Sequence, residues 1–428
     1  MKKISIIGAT FTGNRGAEAM LCSVVNKTAE KYPDAEFYIF SYYPSVDRKL
    51  LQESPHHLKK QIKIFSSTPF YISAVLFPAA LIYAAVSFLR LNFLTKLLPA
   101  SVRALGDSDV LVDIAGVSFM SGRAVFLPFN ILTILPAMLV KTPVVKFAQG
   151  LGPFTDKSVR TSASIFLPKC RKVFARGEIT LKYLHDFFGK KDFIDSAADS
   201  AFMHQKGYSI TDENSGYVKE LCGKIQKQKK SGQKILGFCP SSVVYKKTQK
   251  QNIDYVSVIS DIISKLLKDN NNTLLLFPNA TRKESGEKLR NNDLVIIKLI
   301  KKKLESAENI SERVIYVEND INTDSIKSLI ELCDITVVSR FHAMIASLTL
   351  EVPPLVLGWS HKYLEVMKQF GMEDAVLDYL DIKNDTAGKI ADALKNCSKL
   401  SGKISEYLPT VKKESAKQYE YVFKELLK

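Results

Sequence analysis

Short runs of β-branched residues alternate along the chain with longer amphipathic stretches. This alternation predicts parallel strands joined by crossover helices. In the first half, the predicted strands are Ile4–Ile7, Glu36–Phe40, Val110–Ile114, Val144–Phe147 and Lys172–Ala175. In the second half, they are Ile235–Phe238, Thr273–Phe277, Val314–Val317, Ile335–Val338 and Pro354–Leu357, with helices such as Tyr255–Leu267 and Leu294–Leu304 between them. The pattern therefore predicts two parallel α/β sheets.

A polar, lysine-rich segment, Ser215–Gln233, separates the two alternations. A chain of 428 residues also exceeds what one hydrophobic core usually serves. We predict a first domain over residues 1–228 and a second over 229–400. The apolar spacing of residues 401–428 predicts an amphipathic helix that packs back across the domains.

One stretch of the first half, Ile64–Leu89, contains no charged residue and is long enough to span a bilayer. A single span would place strands of one sheet on opposite sides of the membrane, so we reject it. Two interpretations of this insert, about 64–98, stay open. It is either a hairpin bent at Pro78 that lies on an anionic membrane surface, or a helix pair buried in the protein. The flanking Lys63 and Arg90 favour the membrane.

Composition narrows the choice of partners and compartment. The 60 Lys and Arg residues outnumber the 44 Asp and Glu residues, and the net charge of +16 favours anionic partners. No basic run is interleaved with stacking aromatics, so no nucleic acid is expected as a partner.

The six cysteines form no C-x-x-C pair, and the apolar run after Lys3 is too short for a signal peptide. We expect a cytoplasmic protein on the inner face of the membrane.

The first predicted strand leads into a turn of small residues, Gly8–Met20. Backbone amides at such a helix start can receive an anion. The spacing is not that of the dinucleotide fingerprint, so nicotinamide chemistry is not indicated. From the residues alone, a tight turn that needs glycines for its backbone is an equally good explanation.

A second segment, Asp334–Ala346, places a buried strand before a helix. Ser339 is expected to cap that helix, with Arg340 and His342 in its first turn. This is the edge where open α/β sheets bind ligands. Arg340 has forked donors for a phosphate or carboxylate, and His342 can exchange a proton near neutral pH. A surface arginine and a capping histidine are the structural alternative.

Two nearly complete motifs, Gly13-Asn14-Arg15-Gly16-Ala17-Glu18-Ala19 and Ser339-Arg340-Phe341-His342, resemble the polysaccharide pyruvyl transferase family. Weaker matches lie at 147–153, 175–178 and 357–362, and the likeness covers most of the chain except 50–103. The chain departs from the family pattern at Ala115-Gly116, Arg176-Gly177 and Pro278-Asn279. These departures concern the acceptor side and the second domain.

The resemblance implies two Rossmann-like domains facing a cleft, as in GT-B glycosyltransferases. It implies phosphoenolpyruvate as a co-substrate and a pyruvate ketal on a glycan or lipid-linked sugar as product. Carried over, Arg340 and His342 bind the donor, Phe341 adds backbone contacts, and Arg176 is a second cationic clamp. The remaining residues expected at the glycine turn and cleft are Gly13, Asn14, Arg15, Gly16, Glu18, Gln149 and Gly150.

Ketal formation requires protonation of the donor's methylene carbon and cationic anchors for its phosphate and carboxylate. We expect His342 to donate this proton and Lys362 to contribute a supporting positive charge. No acidic cluster has metal-ligand spacing, so no metal and no cofactor are expected.

Two other functions are considered. A nucleotide-sugar glycosyltransferase of the same fold would use Glu365 and Glu373, which have seven residues between them. However, Gly371 should stop the helix between them. A non-catalytic, membrane-associated component of a glycan assembly system would explain the insert and the charge, but it leaves Arg340 and His342 unexplained.

Overall fold

Buried runs of apolar residues form the strands of two parallel sheets in this computed structural model. The structure describes residues 1–54, 57–207, 214–281, 291–305, 313–358, 360–382 and 385–427. The chain divides into a first unit, Met1–Thr12 with Ala17–Thr211 and Lys412–Lys428, and a second unit, Gly13–Gly16 with Asp212–Val411. The division lies before the helix that covers 215–230, whereas the sequence placed it after residue 228.

The sheet of the first unit has the order β3-β2-β1-β4-β5-β6-β7, and every neighbouring pair is parallel. Its strands are β1 Lys3–Ile7, β2 Glu36–Ser41, β3 Ile62–Ser66, β4 Val110–Asp113, β5 Val144–Gln149, β6 Lys172–Ala175 and β7 Ile194–Ser196. The central strands are buried along their length because helices cover both faces.

The sheet of the second unit has the order β10-β9-β8-β11-β12-β13 and is also parallel. Its strands are β8 Lys234–Cys239, β9 Asn272–Leu276, β10 Val314–Tyr316, β11 Ile335–Val338, β12 Pro354–Gly358 and β13 Val376–Asp378. Both units therefore have the α/β architecture that the sequence predicts.

Helices cover both sheets. Those that begin in residues 15–207 are α1 Arg15–Lys31, α2 Pro44–Glu53, α3 Pro69–Tyr71, α4 Phe77–Phe88, α5 Ala100–Gly106, α6 Leu127–Leu132, α7 Leu135–Leu139, α8 Lys157–Phe166 and α9 Glu178–Phe188. Those that follow are α10 Ser215–Lys230, α11 Ser242–Gln249, α12 Tyr255–Leu266, α13 Asp293–Glu305, α14 Thr323–Ile330, α15 Phe341–Thr349, α16 His361–Lys368, α17 Thr386–Lys395 and α18 Cys397–Tyr421.

The ten predicted strands are confirmed to within about two residues at their ends. Three further strands that the sequence pattern did not predict, β3, β7 and β13, lie at sheet edges. Two of them have only three residues, and β3 alternates buried Ile62 and Ile64 with exposed Lys63. These three strands lack the continuous apolar run that marks a strand buried on both faces. Part of the predicted insert, Ile64–Ser66, therefore belongs to the sheet.

The insert forms one apolar helix, Pro69–Phe88, in which α3 and α4 are joined by a π-helical turn, Ile72–Leu76. The expected hairpin bent at Pro78 and the expected buried helix pair are both wrong. Pro78 follows the π-helical turn closely, and such turns occur where the regular hydrogen bonding of an α-helix is interrupted, as it is by a proline.

The C-terminal segment is helical, as predicted. Its last part packs within the first unit, where the buried Gln418 side chain accepts a hydrogen bond from Ala148 N at 2.8 Å and donates one to Ala198 O at 2.9 Å. The hydroxyl of Tyr32 donates to Leu427 O at 2.8 Å. Both buried hydrogen bonds and apolar packing thus hold this segment on the first unit.

Candidate functional site

The Ser339–His342 segment follows β11 at the carboxyl end of the second sheet. The cap predicted at Ser339 is wrong, because the N-cap residue of α15 is Arg340 and no side chain caps the helix. Ser339 instead continues the strand geometry. Its amide donates to Cys239 O at 3.0 Å, and its carbonyl accepts from the Tyr363 hydroxyl at 3.1 Å.

Arg340 is held by a carboxylate that the sequence analysis did not identify. Its Nε donates to both oxygens of Asp293, at 3.1 and 2.9 Å, its Nη2 also donates to Asp293, and Nη2 donates to Ser242 Oγ at 3.0 Å. Burial lowers the pKa of Arg340, but the ion pair with Asp293 outweighs it and leaves the pKa raised. Arg340 is therefore charged and fixed in orientation.

Asp293 is fully buried and connects three loops of the second unit. Its oxygens also accept hydrogen bonds from the amides of Ser242 at 3.0 Å, Asn279 at 3.3 Å and Ala280 at 2.9 Å. The only signal in the sequence was an acidic residue at the start of a helix, which is an ordinary preference. Nothing local distinguishes Asp293 from a surface residue.

The glycine turn packs against the loop that follows β9. Arg15 N donates to Asn279 O at 3.1 Å, and Thr281 N donates to Gly13 O at 3.0 Å. Asn14 forms an isolated antiparallel bridge with Ala280. The buried Arg15 side chain also pairs with Asp320 at 3.1 Å. The structure thus places Gly13, Asn14, Arg15 and Gly16 in the second unit, beside the loop that Asp293 holds.

Gly16 lies directly against the imidazole of His342. A Cβ added at Gly16 would come within 2.1 Å of both Cγ and Nδ1 of that ring. Only glycine has space here, so the residue type is explained by close packing. The glycine-turn motif and the Ser339–His342 motif, which lie more than 300 residues apart in the sequence, therefore meet at His342.

Phe341 and Lys362 complete this cluster. The half-buried His342 ring packs edge-on against Phe341, with centroids 5.2 Å apart. Phe341 is buried and also contacts Tyr363 at 5.7 Å. Lys362 Nζ lies 4.7 Å from the Phe341 ring centroid, within the range of a cation–π interaction. Phe341 thus contributes its side chain to the cluster, and the backbone contacts with the donor that the resemblance implied stay a prediction.

The other predicted site residues belong to the first unit. Arg176 Nη1 pairs with buried Asp199 at 2.8 Å. Its amide donates to Gln149 O at 3.0 Å. Glu18 is fully buried in α1. The roles predicted for these residues in the site stay predictions.

Gln149 and Gly150 support the loop that follows β4. The Gln149 side chain donates to Asp113 O at 2.9 Å and accepts from Ser118 Oγ at 2.7 Å. Gly150 N donates to Gly116 O at 3.1 Å. Because Gln149 is fully buried, its role in the structure is to hold this loop rather than to line an open surface.

That loop forms one wall of a cavity of about 210 Å³ in the first unit. The cavity lies at the ends of β1 and β4, adjacent strands from which the chain proceeds to opposite edges of the sheet. Open α/β sheets bind ligands at such a switch point. Phe126, Phe129 and Met120 make its apolar wall, and Asn130 and Thr133 are among its polar groups.

Glu365 and Glu373, the two carboxylates considered for a glycosyltransferase, lie in separate helices, as predicted. Glu365 lies in α16, which ends at Lys368, whereas Glu373 begins a short 3-10 helix after Gly371. Gly371 has a φ of 58° and cannot continue an α-helix. Within the described residues, no group of three His, Cys, Asp or Glu side chains is arranged to hold a metal ion.

Comparisons with known proteins give both a family and a fold. The family model described as polysaccharide pyruvyl transferase matches residues 14–361. One relative is the amylovoran biosynthesis protein AmsJ of Erwinia amylovora. It is 21% identical over 382 residues, covering 88% of each chain.

Solved structures of two other proteins share the architecture. A putative UDP-N-acetylglucosamine 2-epimerase from Listeria monocytogenes aligns with a TM-score of 0.58 at 12% identity, over 99% of this chain and 96% of the epimerase. Anabaena HepE in complex with UDP and glucose aligns with a TM-score of 0.57 at 11% identity, over the whole of both chains. At these identities the likeness shows the fold alone, which is the predicted GT-B-like one.

Proposed function

The chain belongs to the polysaccharide pyruvyl transferase family, and we propose that it transfers the enolpyruvyl group of phosphoenolpyruvate to two hydroxyls of a glycan. The observation that carries the proposal is the contact between Gly16 and His342, because it joins the two family motifs around one titratable side chain. A histidine beside cationic groups suits the chemistry of this donor.

The reaction begins with proton transfer from His342 to the methylene carbon of phosphoenolpyruvate. The adjacent carbon becomes an oxocarbenium-like electrophile. One sugar hydroxyl attacks it, and inorganic phosphate then leaves. A second hydroxyl attack closes the ketal. One of the two hydroxyl protons recharges His342, which gave its proton to the new methyl group, and the other protonates the departing phosphate.

Arg340 and Lys362 are the proposed anchors for the donor. Within the described residues, the hydrogen bonds of Arg340 use Nε and Nη2, which leaves Nη1 for a phosphate or carboxylate oxygen. Asp293 fixes the orientation of the Arg340 guanidinium group, so little side-chain entropy is lost when phosphoenolpyruvate binds. Arg176 as a second clamp stays a prediction.

We assign the acceptor sugar to the cavity in the first unit. An apolar wall that contains Phe126 and Phe129 suits the C–H face of a sugar ring, and Asn130 and Thr133 can hydrogen-bond its hydroxyls. No acidic cluster with metal-ligand spacing occurs in the sequence, so the proposal includes no metal ion.

The test is to incubate the purified protein with phosphoenolpyruvate and a glycan extract from its host. We expect release of inorganic phosphate and a glycan mass increased by one pyruvate ketal, both abolished in His342→Gln. Release of nucleotide from a UDP-sugar, with no phosphate from phosphoenolpyruvate, would instead establish a glycosyltransferase. A normal glycan product in cells that carry a folded Arg340→Ala variant would favour a non-catalytic role.

A further inference from the structure

The apolar helix Pro69–Phe88 has one face packed on the first unit. Ile72, Leu76, Ala79 and Ala80 are buried, at the spacing of one helical face. This face is part of the core cluster of the unit, and α4 packs against α7. The helix is therefore an integral part of the folded unit rather than an appended segment.

The opposite face of the same helix is also apolar, although it is open to solvent. Phe70, Leu81 and Phe88 are 78%, 46% and 86% exposed, and Ala74 and Ala85 lie on the same face. A helix on a water-exposed surface usually places polar and charged residues there. This helix has a mean hydropathy of 1.9 over 18 residues, and only 22% of that window is buried.

The segment after the helix extends this surface. Leu89, Phe93 and Leu97 are 62%, 67% and 82% exposed. We call the set Phe70, Leu81, Ile82, Phe88, Leu89, Phe93 and Leu97 the apolar surface. Single exposed apolar residues are ordinary in proteins, but a concentration of large ones within 28 consecutive residues indicates a partner.

The positions of the neighbouring strands argue against a helix that spans a membrane. It follows β3, which ends at Ser66, and precedes β4, which begins at Val110, and both strands belong to the same sheet. The chain would have to cross back before β4. However, Ser101, Val102, Ala104 and Leu105 in α5 are buried in the protein. A monotopic orientation is consistent with both strand positions.

The charged residues near the apolar surface favour an anionic membrane as its partner. Residues 54–106 contain six basic side chains, those of Lys59, Lys60, Lys63, Arg90, Lys96 and Arg103, and no acidic one. The exposed side chains of Arg90 and Lys96 lie within the part of the chain that forms the apolar surface. Two copies packed through this surface would bring like charges together. Anionic headgroups would neutralise these charges, while acyl chains receive the apolar side chains.

We propose that the first unit docks through the apolar surface on the anionic cytoplasmic leaflet of a lipid bilayer, with the apolar helix parallel to the membrane plane. The cavity assigned to the acceptor shares this unit, so docking brings it to lipid-linked sugars. This last consequence rests on the proposed function, whereas the docking itself does not.

The test is vesicle flotation of the full chain at low ionic strength, with phosphatidylcholine vesicles that contain or lack phosphatidylglycerol. The double variant Leu81→Gln/Phe88→Gln is compared with Ile165→Gln. Ile165 is 46% exposed, as Leu81 is, and lies in α8 of the same unit. We expect the wild type and Ile165→Gln to float with anionic vesicles. The double variant should partition roughly a hundredfold less, because burial of each large side chain contributes about tenfold or more.

The variant Arg90→Gln/Lys96→Gln tests the electrostatic part and should lose the preference for anionic vesicles. Equal flotation of the wild type and the double variant would overturn the proposal, as would failure of the wild type to float. A wild-type dimer that the double variant converts to monomers would show that a second copy covers the surface. Unchanged melting temperature, and unchanged turnover of phosphoenolpyruvate on a soluble glycan, would separate docking from folding and from the proposed function.

Discussion

Gly16→Ala should inactivate the protein by displacing His342. The added Cβ would lie 2.1 Å from two atoms of the imidazole ring and 2.4 Å from the His342 Cβ. Carbon atoms in contact are about 3.5–4.0 Å apart, so the ring must move by more than about 1 Å. The clash cannot be relieved by rotation of the ring alone, because the His342 Cβ is also too close.

The expected magnitude follows from this displacement. A misplacement of about 1 Å in a catalytic group costs on the order of a hundredfold in rate. Overpacking costs about 1–3 kcal/mol of stability, which a folded domain usually tolerates. We therefore expect kcat for phosphate release from phosphoenolpyruvate to fall by about a hundredfold or more, with a folded protein by circular dichroism and a moderately lower melting temperature.

Gly223→Ala is the matched control, because it makes the same substitution in the same unit, at a helical position with no atom within 4 Å of the added Cβ. It should leave kcat unchanged and stabilise α10 by up to about 1 kcal/mol. If Gly16→Ala kept kcat within about twofold of the wild type, either His342 would not act in the reaction or its position would not matter, and the assignment would be refuted.

Three further predictions concern the donor site. His342→Gln should bind phosphoenolpyruvate nearly normally in calorimetry but lose about a hundredfold to ten-thousandfold in kcat, whereas the opposite ranking with His361→Gln would move the acid to His361. Arg340→Lys should raise the KM for phosphoenolpyruvate and lower the melting temperature, because an ammonium cannot form the forked contact with Asp293; an unchanged KM would place the anchor elsewhere. Prolonged dialysis against EDTA should leave kcat unchanged, and restoration of a lost activity by one divalent cation would contradict the metal-free mechanism.

The central strands were predictable because their signal is local. β6 at Lys172–Ala175 and β11 at Ile335–Val338 match the predicted bounds without a shift, since strands buried on both faces are continuous apolar runs. Three of the four edge strands, β3, β7 and β13, were missed because their pairing is decided by neighbours. Ile62–Ser66 joins the sheet through β2, and its alternating pattern was merged with the apolar stretch that follows it.

The sequence also predicted most residues of the candidate site. The glycine turn and Arg340, Phe341 and His342 were identified from their order in the chain and their resemblance to a family. Lys362 was identified in the same way, and the structure places it over Phe341. Residue type and spacing were sufficient to locate these groups because they follow strand ends, where open α/β sheets bind ligands.

Only the tertiary structure decided how these residues are held. Asp293, which fixes Arg340, lies 47 positions away in the chain, and Gly16 contacts His342 from the opposite end of the sequence. The outward face of the apolar helix was equally hidden, because composition shows that a helix is apolar but not which of its faces is covered. Local preference sets the elements, whereas packing between distant segments decides which charges are paired and which apolar faces stay exposed.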